Sequence, residues 1–221
     1  MINYFLYKGE FRSCEDSFTS TVFDLLKYLP DEIFVRILKN SLFHQNLPES
    51  GKILEMSYWA KWKAEYTNNK NFVEPDLFIR FEAFDMIIEV KRGNEKQQNL
   101  WQIENEIKAY FNEFEGDKKD LYFIQLGGLH NLNKESDLEI KNKTIKLYKT
   151  NWSKLLDQII FERKQLDNLD YSFTNSYKRI LDDLIKGFEL HNFFKNEWLC
   201  DLEFTDITQQ KLDHMFSYAK R

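Results

Sequence analysis

The stretch EPDLFIRFEAFDMIIEVKRG, residues 74–93, decides the reading of this chain. DLFIRF and FDMIIEVK are short runs rich in aromatic and β-branched residues, too brief for helices, and they read as two antiparallel strands. A tight turn between Glu82 and Ala83 makes the numbers of facing residues sum to about 165, which sets Asp76 opposite Glu89 and Arg80 opposite Asp85. Side chains alternate along a strand, so Glu89 and Lys91 share one face while Met86, Ile88 and Val90 point to the other. The turn lacks the Asn-Gly or Gly-X pair that would fix this register by itself.

An acid and a base inside an apolar hairpin need a reason. Two carboxylates held side by side on rigid strands repel, and desolvation adds several kcal/mol against keeping both ionised. A divalent cation removes that problem, and oxygen ligands of this type suit Mg²⁺ or Mn²⁺, which commonly share a site with phosphates. Lys91 adds positive charge where a water nucleophile is oriented and where charge develops on an attacked phosphate. By spacing alone, the same residues serve as a Glu89–Lys91 salt bridge with Asp76 as an acid at the strand start. Pro75 fixes where Asp76 enters its strand.

The pair Pro75-Asp76, twelve intervening residues, and then Glu89-Val90-Lys91 resembles the signature of the PD-(D/E)XK nuclease superfamily. The resemblance implies an α/β fold like that of restriction endonucleases, with a central mixed β-sheet flanked by helices and extra C-terminal helices. It also implies metal-dependent hydrolysis of phosphodiester bonds, with DNA the expected substrate. The motif places Asp76 and Glu89 on a Mg²⁺ or Mn²⁺ ion and gives Lys91 the task of positioning water. Family members often carry a third acid on a first helix, which nominates Glu15 in EDSFTSTVFDLL, with Asp16 as the neighbour that stands in for it. They also carry a glutamine on the helix after the motif. Gln98 and Gln102 both qualify, and Gln102 is favoured because Gln102, Glu106 and Tyr110 recur at intervals of four. Enzymes of this kind that cut both strands pair two active sites, so a homodimer is an open expectation.

The same resemblance leaves room for a catalytically inactive nuclease-fold protein that binds nucleic acid or another protein. A third reading is an unrelated α/β domain with an accidental motif, which a failure of Asp76, Glu89 and Lys91 to converge would establish.

Outside the hairpin, Phe18, Val22, Leu25, Leu26 and Leu29 keep helical spacing over residues 15–29, behind two acids suited to a helix N-terminus. Pro30 and Asp31 restart a second amphipathic helix. ILEMSYWAKWKAEY, residues 53–66, fits a strand or a helix. A long helix is expected over 95–115, strands over 121–128 and 144–149, and a solvated loop between those strands. The C-terminal third reads as helical: NWSKLLDQIIFERKQL, SYKRILDDLIKGFELHNFF and FTDITQQKLDHMFSYAK. Alternation of helices and strands around one hydrophobic core predicts a single domain over 1–221, with a core to about 165 and a helical extension from about 166.

The composition, 43% hydrophobic and 30% charged with seven glycines and three prolines, is that of a folded protein. A net charge of −5 argues against bulk electrostatic coating of nucleic acid. A local groove is still open, from Lys91, Arg92, Lys96 and Lys108, or from Tyr58, Trp59, Trp62 and Tyr66 mixed with Lys61 and Lys63, residues that otherwise read as core and rim. Cys14 and Cys200 form no metal-binding pattern and are expected as buried reduced thiols. His44, His130, His191 and His214 lack partners at helical spacing and are expected at the surface. With no apolar stretch long enough to span a bilayer and no leader-like N-terminus, a cytoplasmic location and no membrane partner are expected.

Overall fold

The computed structural model describes residues 12–44, 46–93, 98–114, 116–128, 136–168 and 173–194. The segment at 204–220, together with Cys200, His130, His214 and Lys96, lies outside the described residues.

In chain order the elements are α1 (Glu15–Leu26), α2 (Asp31–Ser41), β1 (Ile53–Tyr58), β2 (Trp62–Lys63), β3 (Phe72–Val73), β4 (Leu77–Phe81), β5 (Phe84–Val90), α3 (Leu100–Glu113), β6 (Asp120–Leu126), β7 (Ser136–Ile140), β8 (Lys143–Thr150), α4 (Trp152–Gln165) and α5 (Thr174–Leu190). Six strands form one mixed sheet in the order β1-β4-β5-β6-β8-β7, and β2 with β3 forms a separate ribbon. Strands β5, β6 and β8 run parallel, while β1, β4 and β7 pair antiparallel to their neighbours. The fold is therefore α/β, with a central mixed sheet flanked by helices.

The decisive hairpin adopts the expected register, with Leu77 opposite Ile88 and Arg80 opposite Asp85. Its turn needs no glycine because a neighbouring segment holds it: Glu82 N donates to Lys52 O at 2.9 Å and Ala83 N to Ser50 O at 3.0 Å. Alternation then divides the two faces. Met86, Ile88 and Val90 join Phe18, Val22, Leu26, Phe34, Leu155 and Leu184 in a core against α1, α2, α4 and α5. Ile87 and Phe78 join Ile103, Ile107 and Tyr110 of α3 in a second core, closed by Trp62 and Val73 of the ribbon. Each fully buried Phe or Leu contributes roughly 1.5–3 kcal/mol, so the four apolar residues that α1 buries suffice to seat that helix, and Glu15 with it.

Three expectations are corrected. Residues 53–66 are neither one strand nor a helix: β1 ends at Tyr58, Trp59 takes a left-handed φ of 48°, and a short second strand follows. The segment expected as a loop between β6 and β8 contains β7, whose SDLEI alternation pairs with β8 through Lys141 and Asn142, both left-handed at φ 51° and 60°. Such a two-residue turn matches the twist of a hairpin, and Asn tolerates it. The helix expected from 95 begins at Leu100, where the Asn99 side chain accepts the Trp101 N–H.

Candidate active site

Chain topology brings the expected residues to the C-terminal end of β5. Asp76 sits just before β4, and its Oδ2 accepts the Val90 N–H at 2.8 Å. Glu89, on β5 beside Gln125 of β6, is buried to 2% side-chain exposure. Lys91 Nζ donates to Glu89 Oε1 and to Val90 O, and lies 3.4 Å from Glu15 Oε1. Glu15, at the first turn of α1, uses its other oxygen to accept the Arg92 N–H at 2.8 Å. Asp16 is exposed, so Glu15 is the acid that α1 contributes.

Both glutamines belong to the site. Gln98 Nε2 donates to the Glu89 backbone carbonyl at 3.2 Å, while Gln102 Nε2 donates to Glu89 Oε1 at 2.6 Å and to Glu106 Oε1 at 3.1 Å. Asp76, Glu89, Lys91, Glu15 and Gln102 thus converge.

The Lys91 backbone is held at both its polar groups. Its N–H donates to Leu126 O at 2.8 Å and its carbonyl accepts Trp152 Nε1 at 3.1 Å. Gly127, at φ 78°, lies so close that a Cβ there would come within 2.0 Å of Lys91 O, and a Cβ on Gly128 would come within 2.7 Å of Lys91 Cβ. This glycine pair, which the sequence presents only as a strand stop, lets β6 press against the lysine.

The electrostatics are uneven. Burial, reinforced by Glu89, pushes the Asp76 carboxyl up to about 8, against the opposing Val90 N–H and Lys91 charge. Glu106 is raised well above the usual carboxylate range by complete burial and then by Glu89. Burial disfavours the Lys91 charge, but Glu89, Glu15 and Asp76 outweigh it and raise its pKa. Three buried oxygens around Glu89 accept no hydrogen bond: Glu89 Oε2, Glu106 Oε2 and Gln98 Oε1. Buried acceptors without donors are costly, and hard oxygen donors of this kind suit Mg²⁺ or Mn²⁺. As the side chains stand, no three acidic, histidine or cysteine groups among the described residues form a ready-made cation cage, and the Lys91 ammonium lies between Glu89 and Glu15. Mg²⁺ is commonly held by one or two carboxylates with the rest of its shell water, a demand that Asp76 and Glu89 meet on donor chemistry.

Glu106 was visible in the sequence only as a member of the four-residue repeat after Gln102. Its burial against Glu89 has no sequence signal beyond that spacing. Other expectations change. Cys14 is exposed, and hydrogen bonds with Ser17 lower its thiol pKa. His191 is buried, stacked on Phe18 at 4.4 Å and hydrogen-bonded to Ser13 Oγ, and burial followed by Arg92 pushes it down to about 4. Arg92 spends its guanidinium on Ser13 O and His191 O, and Lys108 forms a partly exposed ion pair with Glu104. Trp62 is core, whereas Tyr66 is 81% exposed.

No helix among the described residues is long and apolar enough to cross a membrane. No protein-family model matches the chain. Uncharacterized protein PM0110 of Pasteurella multocida (strain Pm70) is similar: it is 29% identical over 215 residues, covering 90% of this chain and 78% of that protein.

Proposed function

We propose that this chain is a metal-dependent nuclease that hydrolyses phosphodiester bonds, with DNA as its substrate. The observation that supports this reading is the meeting of Asp76, Glu89 and Lys91 at one strand end, joined by Glu15 from α1 and Gln102 from α3.

Asp76 and Glu89 would hold Mg²⁺ or Mn²⁺, with Glu15 completing the acidic set. The ion, when bound, supplies positive charge to the phosphate oxygens of an in-line displacement. Lys91, kept charged by three acids, donates hydrogen bonds and does not act as a base. It orients the attacking water and stabilises charge as the new phosphorus–oxygen bond forms and the bond to the leaving oxygen breaks. One proton of the water goes to the leaving oxygen, and the other stays on the product phosphomonoester until its second ionisation at about pH 6. Gln102 and Gln98 fix the side chain and backbone of Glu89, and Trp152 and the glycine pair fix Lys91. Such positioning places reacting groups at productive distances.

One observation favours a second reading. The Lys91 ammonium already neutralises Glu89 without a cation, as in a nuclease-fold protein that acts by binding alone. Calorimetric titration with Mn²⁺ separates the two: the nuclease reading requires binding that is lost in Asp76→Asn, while a pure scaffold binds no ion. Plasmid, single-stranded DNA and RNA, each incubated with Mg²⁺ or Mn²⁺, test the substrate. Cleavage of DNA supports the proposal, cleavage of RNA alone redirects it, and no cleavage of any substrate overturns it.

A further inference from the structure

Glu106 is buried on α3 and holds one acceptor oxygen 3.1 Å from the Gln102 amide nitrogen. A buried carboxyl is expensive where a leucine would fill the same space between helix and sheet. The hydrogen-bond count suggests its use. The Gln102 NH₂ group has two hydrogens, and both are accepted by carboxyl oxygens, one from Glu89 and one from Glu106. Rotating the amide by half a turn would face its carbonyl oxygen toward Glu89 Oε1, an acceptor against an acceptor, and would take from Glu106 Oε1 the N–H it now accepts. The amide orientation is therefore fixed by the two acids together. Glu89 Oε1 then takes hydrogen bonds from Gln102 and from Lys91, while the buried Glu89 Oε2 takes none from either.

We infer that Glu106 is a positioning residue: acting through the Gln102 amide, it determines which oxygen of Glu89 is presented to the cation and substrate. The inference rests on the metal-dependent reading above. Glu106 stands one helical turn beyond Gln102, so the relay is built on a single rigid element. Groups that orient ligand side chains in this way typically affect metal affinity by about 10–100-fold.

The test compares wild type with Glu106→Gln, Glu106→Leu, Gln102→Leu and the Gln102→Leu/Glu106→Leu double variant, reading Mn²⁺ affinity by electron paramagnetic resonance. In Glu106→Gln the new side-chain carbonyl still accepts from Gln102, and the affinity is expected to stay within about threefold of wild type. Glu106→Leu and Gln102→Leu are each expected to weaken Mn²⁺ binding by about tenfold or more. The double variant is expected to bind no more weakly than either single variant, because the relay is already broken. A second readout needs no metal: both Gln102 side-chain amide protons are expected at hydrogen-bonded positions in wild type and Glu106→Gln, and in Glu106→Leu the proton accepted by Glu106 is expected to move to a free-amide position while the one accepted by Glu89 stays. Should Glu106→Leu fail to fold, Glu106→Met takes its place in both measurements. Unchanged Mn²⁺ affinity in a folded Glu106→Leu, or additive losses in the double variant, overturns the inference. Absence of Mn²⁺ binding by wild type overturns the metal-dependent reading instead, while the amide resonances still report whether the relay exists.

Discussion

Asp76 Oδ2 accepts the backbone N–H of Val90 at 2.8 Å, tying the residue that precedes β4 to the last residue of β5. The bond places a second carboxyl beside Glu89 whether or not that carboxyl is ionised. Its ionisation has a cost, since burial and then Glu89 hold the pKa at about 8. In the unfolded chain the same group titrates near about 3.9. Between those values the folded protein holds more protons than the unfolded one, so this group's contribution to stability falls as pH rises from about 4 to about 8. Asp76→Asn removes the titration and keeps an acceptor for Val90. In metal-free buffer at pH 8 the variant is expected to be more stable than wild type by about 1–3 kcal/mol, with a smaller gap at pH 5; thermal unfolding in EDTA at both pH values checks it.

Cation binding at Asp76 must release its proton. Below pH 8 each unit of added pH is expected to raise Mn²⁺ affinity by close to tenfold, levelling off above the Asp76 pKa of about 8. Titrations at pH 6, 7, 8 and 9 measure the slope, and a flat profile from 6 to 8 excludes Asp76 as a ligand.

Lys91 neutralises a glutamate with only 2% side-chain exposure. Replacing it by alanine leaves that charge buried and unpaired, at a cost of about 3–5 kcal/mol. An added cation substitutes for the lost ammonium. Mn²⁺ is therefore expected to raise the melting temperature of Lys91→Ala more than that of wild type, which differential scanning fluorimetry detects.

Gly127→Ala forces a Cβ against the Lys91 carbonyl and requires a left-handed φ that alanine adopts poorly. The contact is with backbone, so the lysine must move. Stability is expected to drop by about 1–3 kcal/mol and cleavage by about 10²-fold. Gly93→Ala, where a Cβ would meet nothing, serves as the control and is expected to leave both unchanged.

The hairpin was legible because three constraints agreed: aromatic and β-branched runs, strict alternation around Glu89, and a numerical register that put Arg80 against Asp85. Helices α1 and α2 were legible from their spaced apolar faces and the Pro30 break. What escaped depended on the rest of the fold. Strand β7 hid in a charged segment because it is an edge strand with one face toward solvent, and its Lys141-Asn142 turn lacks glycine. His191 read as a surface residue because its own helix says nothing of Phe18, more than 170 positions away, on which it stacks. Glu106 and the Gly127-Gly128 contact with Lys91 likewise arise only when α3 and β6 pack against β5.

The most direct test of the central claim is single-turnover cleavage of plasmid DNA in Mn²⁺ by wild type and Lys91→Ala at equal folded concentration. Cleavage by wild type that vanishes in EDTA and falls by about 10²–10³-fold in the variant is the predicted result. Equal cleavage by the two proteins would contradict the assignment of Lys91, and with it the account of why an acid and a base are buried together at the end of β5.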